Sequence, residues 1–290
     1  MSFTDRCPQD GPPALLICPV CRARLVPAGR AARCAEGRHT FDIARQGYLG
    51  LLTGRRARSA DTAAMVRARS AFLAGGHYAP LARRLAGLAG ALCPDGRTVL
   101  DAGVGTGYYL SAVLDALPGA VGLGLDTSPY ALRAAARAHG RAAAASWDVW
   151  RPLPVRTGSV DLVLNVFAPR NGGEFHRVLR PDGVLLVVTP APRHLRELQG
   201  RLGTLRVDPA KPRRLHTALS GHFRPGGTET LEYAVTLTAD DIDHLVSMGP
   251  TAHHIDAGEL RRRIASLAPP RPVTVSFLVS VHRPRPLGAR

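Results

Sequence analysis

The sequence predicts an α/β protein: a doubly wound, mostly parallel sheet preceded by a small metal-organised module. Three observations predict it. Strand-like apolar runs alternate with helix-like segments from residue 97 to residue 190, the pattern of parallel strands joined by crossover helices. The first of these runs, "RTVLDAGVGTGYYL", passes from strand through a glycine turn into a helix. Four of the five cysteines fall within the first 34 residues, too clustered for a disulfide scaffold and better suited to a metal.

A chain of 290 residues with 45% hydrophobic content can hold one large domain and a small module. The expected division is residues 1–54 for the metal module, 55–94 for a helical connector and 95–290 for the large α/β domain. No apolar run reaches the roughly 18 to 20 residues that span a bilayer, and "MSFTDRCPQDGPPALLI" lacks a basic segment followed by a long apolar core. A cytoplasmic protein with no membrane partner is expected. The formal net charge is +16 and the pI about 11.0, which suits a partner of dense negative charge, nucleic acid first. A GC-rich coding bias also raises arginine, and lysine occurs only at Lys211.

Cys18 and Cys21 form a C-x2-C knuckle, and Cys34 and His39 close it as C-x4-H across a loop with Arg22, Arg24, Arg30 and Arg33. Three thiolates and an imidazole at this spacing suit a tetrahedral structural zinc site with no open position. Cys7 is the alternative ligand, in place of His39. So short a segment has little apolar core, so metal binding would supply much of its folding free energy.

After "TFDIARQGYLGLL" come Arg55, Arg56 and Arg58, either a solvated connector or an RNA-facing patch. From Ser59, a plausible N-cap, Met65, Ala68, Phe72 and Leu73 recur at helical spacing.

The strand ending at Asp101 opens the cofactor half. Gly103, Gly105 and Gly107 allow a tight turn and close backbone approach to a ligand. A second strand ends at Asp126, where a carboxylate can accept hydrogen bonds from ribose hydroxyls. Asp148 follows a third strand, and "VDLVLNVF" places Asn165 at the ligand side of a fourth. "EFHRVLRPDGVLLVVTP" then reads as helix, turn and fifth strand. In such a sheet ligands sit beyond the carboxyl ends of the strands.

The acid opening the glycine loop, the acid after the second strand, the acid near the adenine position and the "VLRPDG" turn together resemble a class I S-adenosylmethionine-dependent methyltransferase, with a Rossmann-like sheet, over roughly residues 95 to 190. A nucleotide-binding dehydrogenase is the competing reading of the glycine turn alone. At larger scale, the zinc segment with "HTFDIARQGYLGLL", then "RSAFLAGGHYAPL", "LDAGVGTGYY" and "TPAPRHLREL", is similar in order and content to the 23S rRNA (guanine-N1)-methyltransferases. The arginine-rich composition and short leader resemble the branch that confers resistance to tylosin-type macrolides.

The resemblance implies zinc on Cys18, Cys21, Cys34 and His39. It implies S-adenosylmethionine contacts from Tyr78 in "GGHYAPL", from Gly105 and Thr106, and from His194 in "PAPRHL". Some relatives carry an acid where Thr106 stands, which leaves a backbone contact there. Asp101, Gly103, Asp126, Asp148 and Asn165 complete the expected cofactor site. Tyr78 also reads as a core aromatic, and His194 as an exposed residue starting a "RHLRELQ" helix. The implied partners are a 23S rRNA hairpin and a second copy of the chain, since relatives form homodimers.

The sulfonium methyl is already activated, so alignment of nucleophile, methyl carbon and sulfur is the main task. Guanine N1 is protonated and lies on the Watson-Crick edge, so the base must be unpaired or flipped out and must lose that proton. "NVFAPRN" offers no carboxylate. Solvent, Asn165, Glu174 and His194 are the candidates for handling the proton. The zinc module with its basic loop would grip the RNA backbone. Beyond residue 200 the chain reads as accessory strands and helices, with "PVTVSFLVSVHR" closing the sheet; Trp147, Trp150, His253 and His254 read as surface or packing residues. Two alternatives remain: a methyltransferase acting on a small molecule, and a non-enzymatic RNA-binding protein.

Overall fold

The computed structural model describes residues 12–52, 60–199, 201–202, 217–249 and 256–286. Cys7, Arg55, Arg56, Arg58, Ser59, His253 and His254 lie outside them.

A seven-stranded sheet organises the chain. Its strands are β4 (Thr98–Ala102), β5 (Val121–Asp126), β6 (Ala142–Ser146), β7 (Val160–Val166), β8 (Leu179–Pro190), β9 (Phe223–Leu237) and β10 (Arg271–Pro284), in the order β6-β5-β4-β7-β8-β10-β9. The first five are parallel; β10 runs antiparallel to both β8 and β9. The expected closing strand "PVTVSFLVSVHR" is therefore inserted between β8 and the edge strand β9. The "RPDG" turn becomes an excursion within β8: Val160 pairs with Leu179, while Leu162 pairs with Val184.

Alternation along each strand divides the core into two. Val99, Leu162, Leu164, Val184 and Leu186 face one cluster with α1 (Ala63–Ala74), α2 (Ala79–Leu92), α3 (Tyr108–Ala116) and α4 (Pro129–Ala138). Leu100, Leu123, Ala143, Val163 and Leu185 face the other, with α5 (Gly172–Val178). Thr62 caps α1, its hydroxyl accepting from the Met65 amide, so α1 starts later than an N-cap at Ser59 implies. Met65, Ala68, Phe72 and Leu73 are buried, as their spacing predicts.

The second face explains the N-terminal segment. Its strands β1 (Leu25–Ala28), β2 (Ala31–Cys34) and β3 (Thr40–Asp42) form a small antiparallel sheet. Leu15, Leu16, Phe41, Ile43, Leu49 and Leu51 join the core on the Leu100 and Leu123 side. No helix is assigned between β6 and β7, and this segment helps cover that face instead. Leu49 also pairs in parallel with Ala145 of β6; its amide donates to the Ala144 carbonyl at 2.9 Å and its carbonyl accepts from the Ser146 amide at 2.8 Å. The β6 backbone is thereby partnered on its outer side, which removes a bare strand edge. Among the described residues, no helix is long and apolar enough to cross a membrane.

Candidate active site and metal centre

The knuckle is shaped by backbone bonds: the Cys18 amide donates to the Ala23 carbonyl at 2.7 Å and the Arg22 amide to the Cys18 carbonyl at 2.9 Å. Hairpin β1–β2 then delivers Cys34. Its Sγ is 3.7 Å from His39 Nδ1, and Cys18 Sγ is 3.5 Å from the same nitrogen. Zinc bonds of usual length at tetrahedral angles put sulfur and nitrogen about 3.6 Å apart, so the fit is good. All four ligand atoms of Cys18, Cys21, Cys34 and His39 lie within 4.8 Å of one another. Burial pushes the Cys34 thiol up, but the His39 amide donating to Sγ at 3.3 Å and the nearby imidazole hold it at about 7. The set suits a four-coordinate structural zinc. Arg22, Arg24, Arg30, Arg33 and Arg38 are exposed on the same module.

At the carboxyl end of the parallel strands, the glycine turn lies with Asp101, Asp126 and Asn165. Asp126 Oδ2 accepts from the Gly105 amide at 2.9 Å and Oδ1 from the Ser128 amide at 2.8 Å. One carboxylate thus ties the glycine turn to the start of α4. The turn needs its glycines: at Gly103, with φ +97°, a Cβ would sit 2.4 Å from Ala168 Cβ, and at Gly107, with φ +85°, 2.7 Å from Ala138 Cβ. Thr106 is half-buried just before α3.

Asp101 is buried, and its Oδ1 has no hydrogen-bond partner among the described residues. Burial, reinforced by the Asp126 carboxylate, raises its pKa to about 8. A buried polar atom without a partner is costly; a ligand carrying N–H donors and positive charge would relieve it. Asn165 is also buried. Its Nδ2 donates to the carbonyls of Ala102 at 3.1 Å and Pro169 at 2.8 Å, while Oδ1 has no partner among the described residues. Two unused acceptors beside a glycine turn fit a polar, cationic cofactor. Asp148 stands slightly apart and half-buried, accepting from the Trp150 amide at 3.0 Å; the Trp147 amide bonds the Asp126 carbonyl at 2.9 Å and links the two segments.

Tyr78 and His194 form a second group. Tyr78, the buried N-cap residue of α2, puts its hydroxyl 3.4 Å from His194 Nε2 and packs edge-on against Phe72 and Phe277. His194 follows β8 in a series of turns rather than the expected helix; Leu195 has φ +56°. The carboxylate of Glu197 is drawn to Thr274, accepting from its amide at 2.8 Å and its hydroxyl at 2.6 Å. Glu174 is committed elsewhere, paired with Arg177 and accepting from the Leu153 amide at 2.5 Å. Trp147 is buried, and Trp150 is exposed. Residues that sequence reading missed include Asp61 and Arg69, which pair with each other beside Asp126, and the aromatics Tyr109, Phe167 and Phe277.

The sheet order, the glycine turn and the acids at the carboxyl ends of β4 and β5 define a class I S-adenosylmethionine-dependent methyltransferase bearing a structural zinc module. A methyltransferase domain model matches residues 99–183, and the model described as "RlmA, N-terminal", a zinc ribbon, matches residues 16–60. A Streptomyces fradiae protein named 23S rRNA (guanine(748)-N(1))-methyltransferase is 50% identical, covering 93% of this chain and 97% of its own. A Micromonospora griseorubida protein assigned by name to the 23S rRNA (guanine-N1)-methyltransferases is 51% identical over 94% of this chain and 97% of its own. A Bacillus subtilis protein with the same assignment is 34% identical over 81% of this chain and 86% of its own. This chain belongs to the 23S rRNA (guanine-N1)-methyltransferase family.

Proposed function

We propose that this protein transfers a methyl group from S-adenosylmethionine to N1 of one guanine in a hairpin loop of 23S rRNA, and that the modification confers resistance to tylosin-type macrolides. The observation that carries this reading is the 50% identity across nearly the full length of the S. fradiae enzyme. The small-molecule alternative has no counterpart among the full-length relatives described above. A defunct, purely RNA-binding protein would not need the unused acceptors of Asp101 and Asn165.

The cofactor supplies an activated methyl group. Asp126 would hold the ribose hydroxyls while still pinning the glycine turn, and Asp148 would sit at the adenine. Asp101, Gly103, Gly105, Thr106, Asn165, Tyr78 and His194 would contact the remainder. Cys18, Cys21, Cys34 and His39 would bind zinc. The exposed arginines of residues 1–54 would hold RNA phosphates, with 55–94 as connector and 95–290 as catalytic domain. Two copies of the chain would build one RNA cleft in the cytoplasm.

The test is transfer of labelled methyl from S-adenosylmethionine to naked 23S rRNA, with the product mapped by a primer-extension stop. A single stop at a hairpin-loop guanine is expected, with the position named for the S. fradiae relative, 748, the first to inspect. Cofactor binding without transfer to rRNA or ribosomal particles would overturn the reading.

A further inference from the structure

Phe167 is the residue immediately after β7, and three features of it stand out. Its backbone is left-handed, φ 55°, a conformation that a bulky residue adopts only when its surroundings impose it. Its side chain remains 43% exposed, although its ring lies 5.2 Å from that of Phe277, 6.3 Å from Tyr109 and 6.4 Å from Tyr78. Its loop is anchored: the Phe167 amide donates to the Val188 carbonyl at 3.2 Å, and Asn165 Nδ2 reaches the Pro169 carbonyl at 2.8 Å.

The position matters as much as the strain. Ala168 lies so close to Gly103 that no Cβ fits between them, so the loop borders the cofactor turn. Strain stored at a ligand edge, an aromatic ring braced from behind by other rings, and an open remaining surface are what a flipped purine needs for stacking.

We propose that Phe167 is the platform on which the target guanine stacks, presented by a loop that Asn165 anchors through the Pro169 carbonyl. This rests on the rRNA-methyltransferase reading above. A base stacked on Phe167 would lie next to the Gly103 turn, which Ala168 borders, within reach of a methyl donor held there.

The test uses the full-length, zinc-loaded protein, labelled S-adenosylmethionine and a 23S rRNA hairpin transcript, comparing wild type with Phe167→Ala, Phe167→Leu and Phe167→Trp. Cofactor affinity is measured separately by calorimetry. Loss of one base-aromatic stack predicts that kcat/KM for RNA falls about tenfold to hundredfold in Phe167→Ala, with cofactor affinity unchanged. Phe167→Trp restores the rate and Phe167→Leu, apolar but not aromatic, does not. Phe167→Gly, which relieves the backbone, gives a folded non-aromatic control and behaves as Phe167→Ala does. An active Phe167→Ala enzyme, rescue by Leu equal to that by Trp, or a parallel loss of cofactor affinity would overturn the proposal while leaving the rRNA reading intact. Failure of wild type to methylate the RNA would remove both.

Discussion

The hydroxyl of Tyr78 lies 3.4 Å from Nε2 of His194, joining the start of α2 to the turn after β8. The Ser276 amide donates to His194 Nδ1 at 3.3 Å, so the neutral imidazole carries its hydrogen on Nε2 and directs it at the phenol oxygen. The phenol hydrogen is then available to a ligand, and burial, raising the Tyr78 pKa, keeps it bound. Tyr78→Phe keeps the ring contacts and loses one hydrogen bond. Its cofactor affinity, read by calorimetry, should fall about twofold to tenfold with little change in Tm. A Tm loss matching that of Tyr78→Ala would show the residue to be packing alone.

Asp101 makes the ligand-free protein pH-sensitive. Its carboxyl is raised from 3.8 to about 8 by burial, then by Asp126. Between those values the folded state holds a proton that the unfolded state has released, so stability falls as pH rises and levels off above pH 8. Asp101→Asn removes this contribution, leaving that of Asp126, whose carboxyl pKa burial also raises. Its Tm advantage over wild type should grow from pH 5 to pH 8 and then stay constant, by differential scanning calorimetry without cofactor. The same variant should bind S-adenosylmethionine more weakly; a pH-independent Tm difference would reject the raised pKa.

Asp126→Ala strands the Gly105 and Ser128 amides. Bonds to a charged acceptor are worth about 1.5–3 kcal/mol each, far above the roughly ±0.5 kcal/mol of an ordinary surface change. Both Tm and cofactor affinity should fall. Asp126→Asn, which can satisfy one amide, should lose less Tm than Asp126→Ala; equal losses would argue against the tether.

Zinc removal should be felt beyond the zinc site, because Leu15, Leu16, Phe41, Ile43, Leu49 and Leu51 pack on the main sheet. Burying a leucine is worth about 1.5–3 kcal/mol, so loosening this segment exposes a large part of one core. Cys34→Ser should carry less metal per chain by elemental analysis, and hydrogen exchange should accelerate at β6 as well as in residues 18–39. Protection of β6 equal to that of wild type would separate the two units energetically. For the same reason, RNA-contact tests are cleaner with Arg30→Glu and Arg33→Glu on the exposed surface than with deletion of the segment.

Local pattern made much of the site legible. Cys18, Cys21, Cys34 and His39 could be paired on paper because metal geometry restricts spacing. Asp101 and Asp126 were visible because an acid ending a buried parallel strand stands out against its apolar run. Thr62 as the α1 cap and the turns around His194 were not. The first depends on Asp61 turning back to pair with Arg69 further along the helix, and the second on capture of Glu197 by Thr274 from a strand 77 residues away.

By itself the sequence determined the alternation of strands and helices, the ligand quartet, the glycine turn and the family likeness, because each is written in contiguous residues or short spacings. Tertiary structure decided three things that no spacing encodes. It placed the zinc segment on one face of the catalytic sheet rather than apart from it, because leucines at 16, 49 and 51 find their cover there. It brought Tyr78, at the start of α2, to His194 in the turns after β8. It forced Phe167 into a left-handed turn with its ring in the open, since only the packed loop between Asn165, Ala168 and Gly103 imposes that backbone.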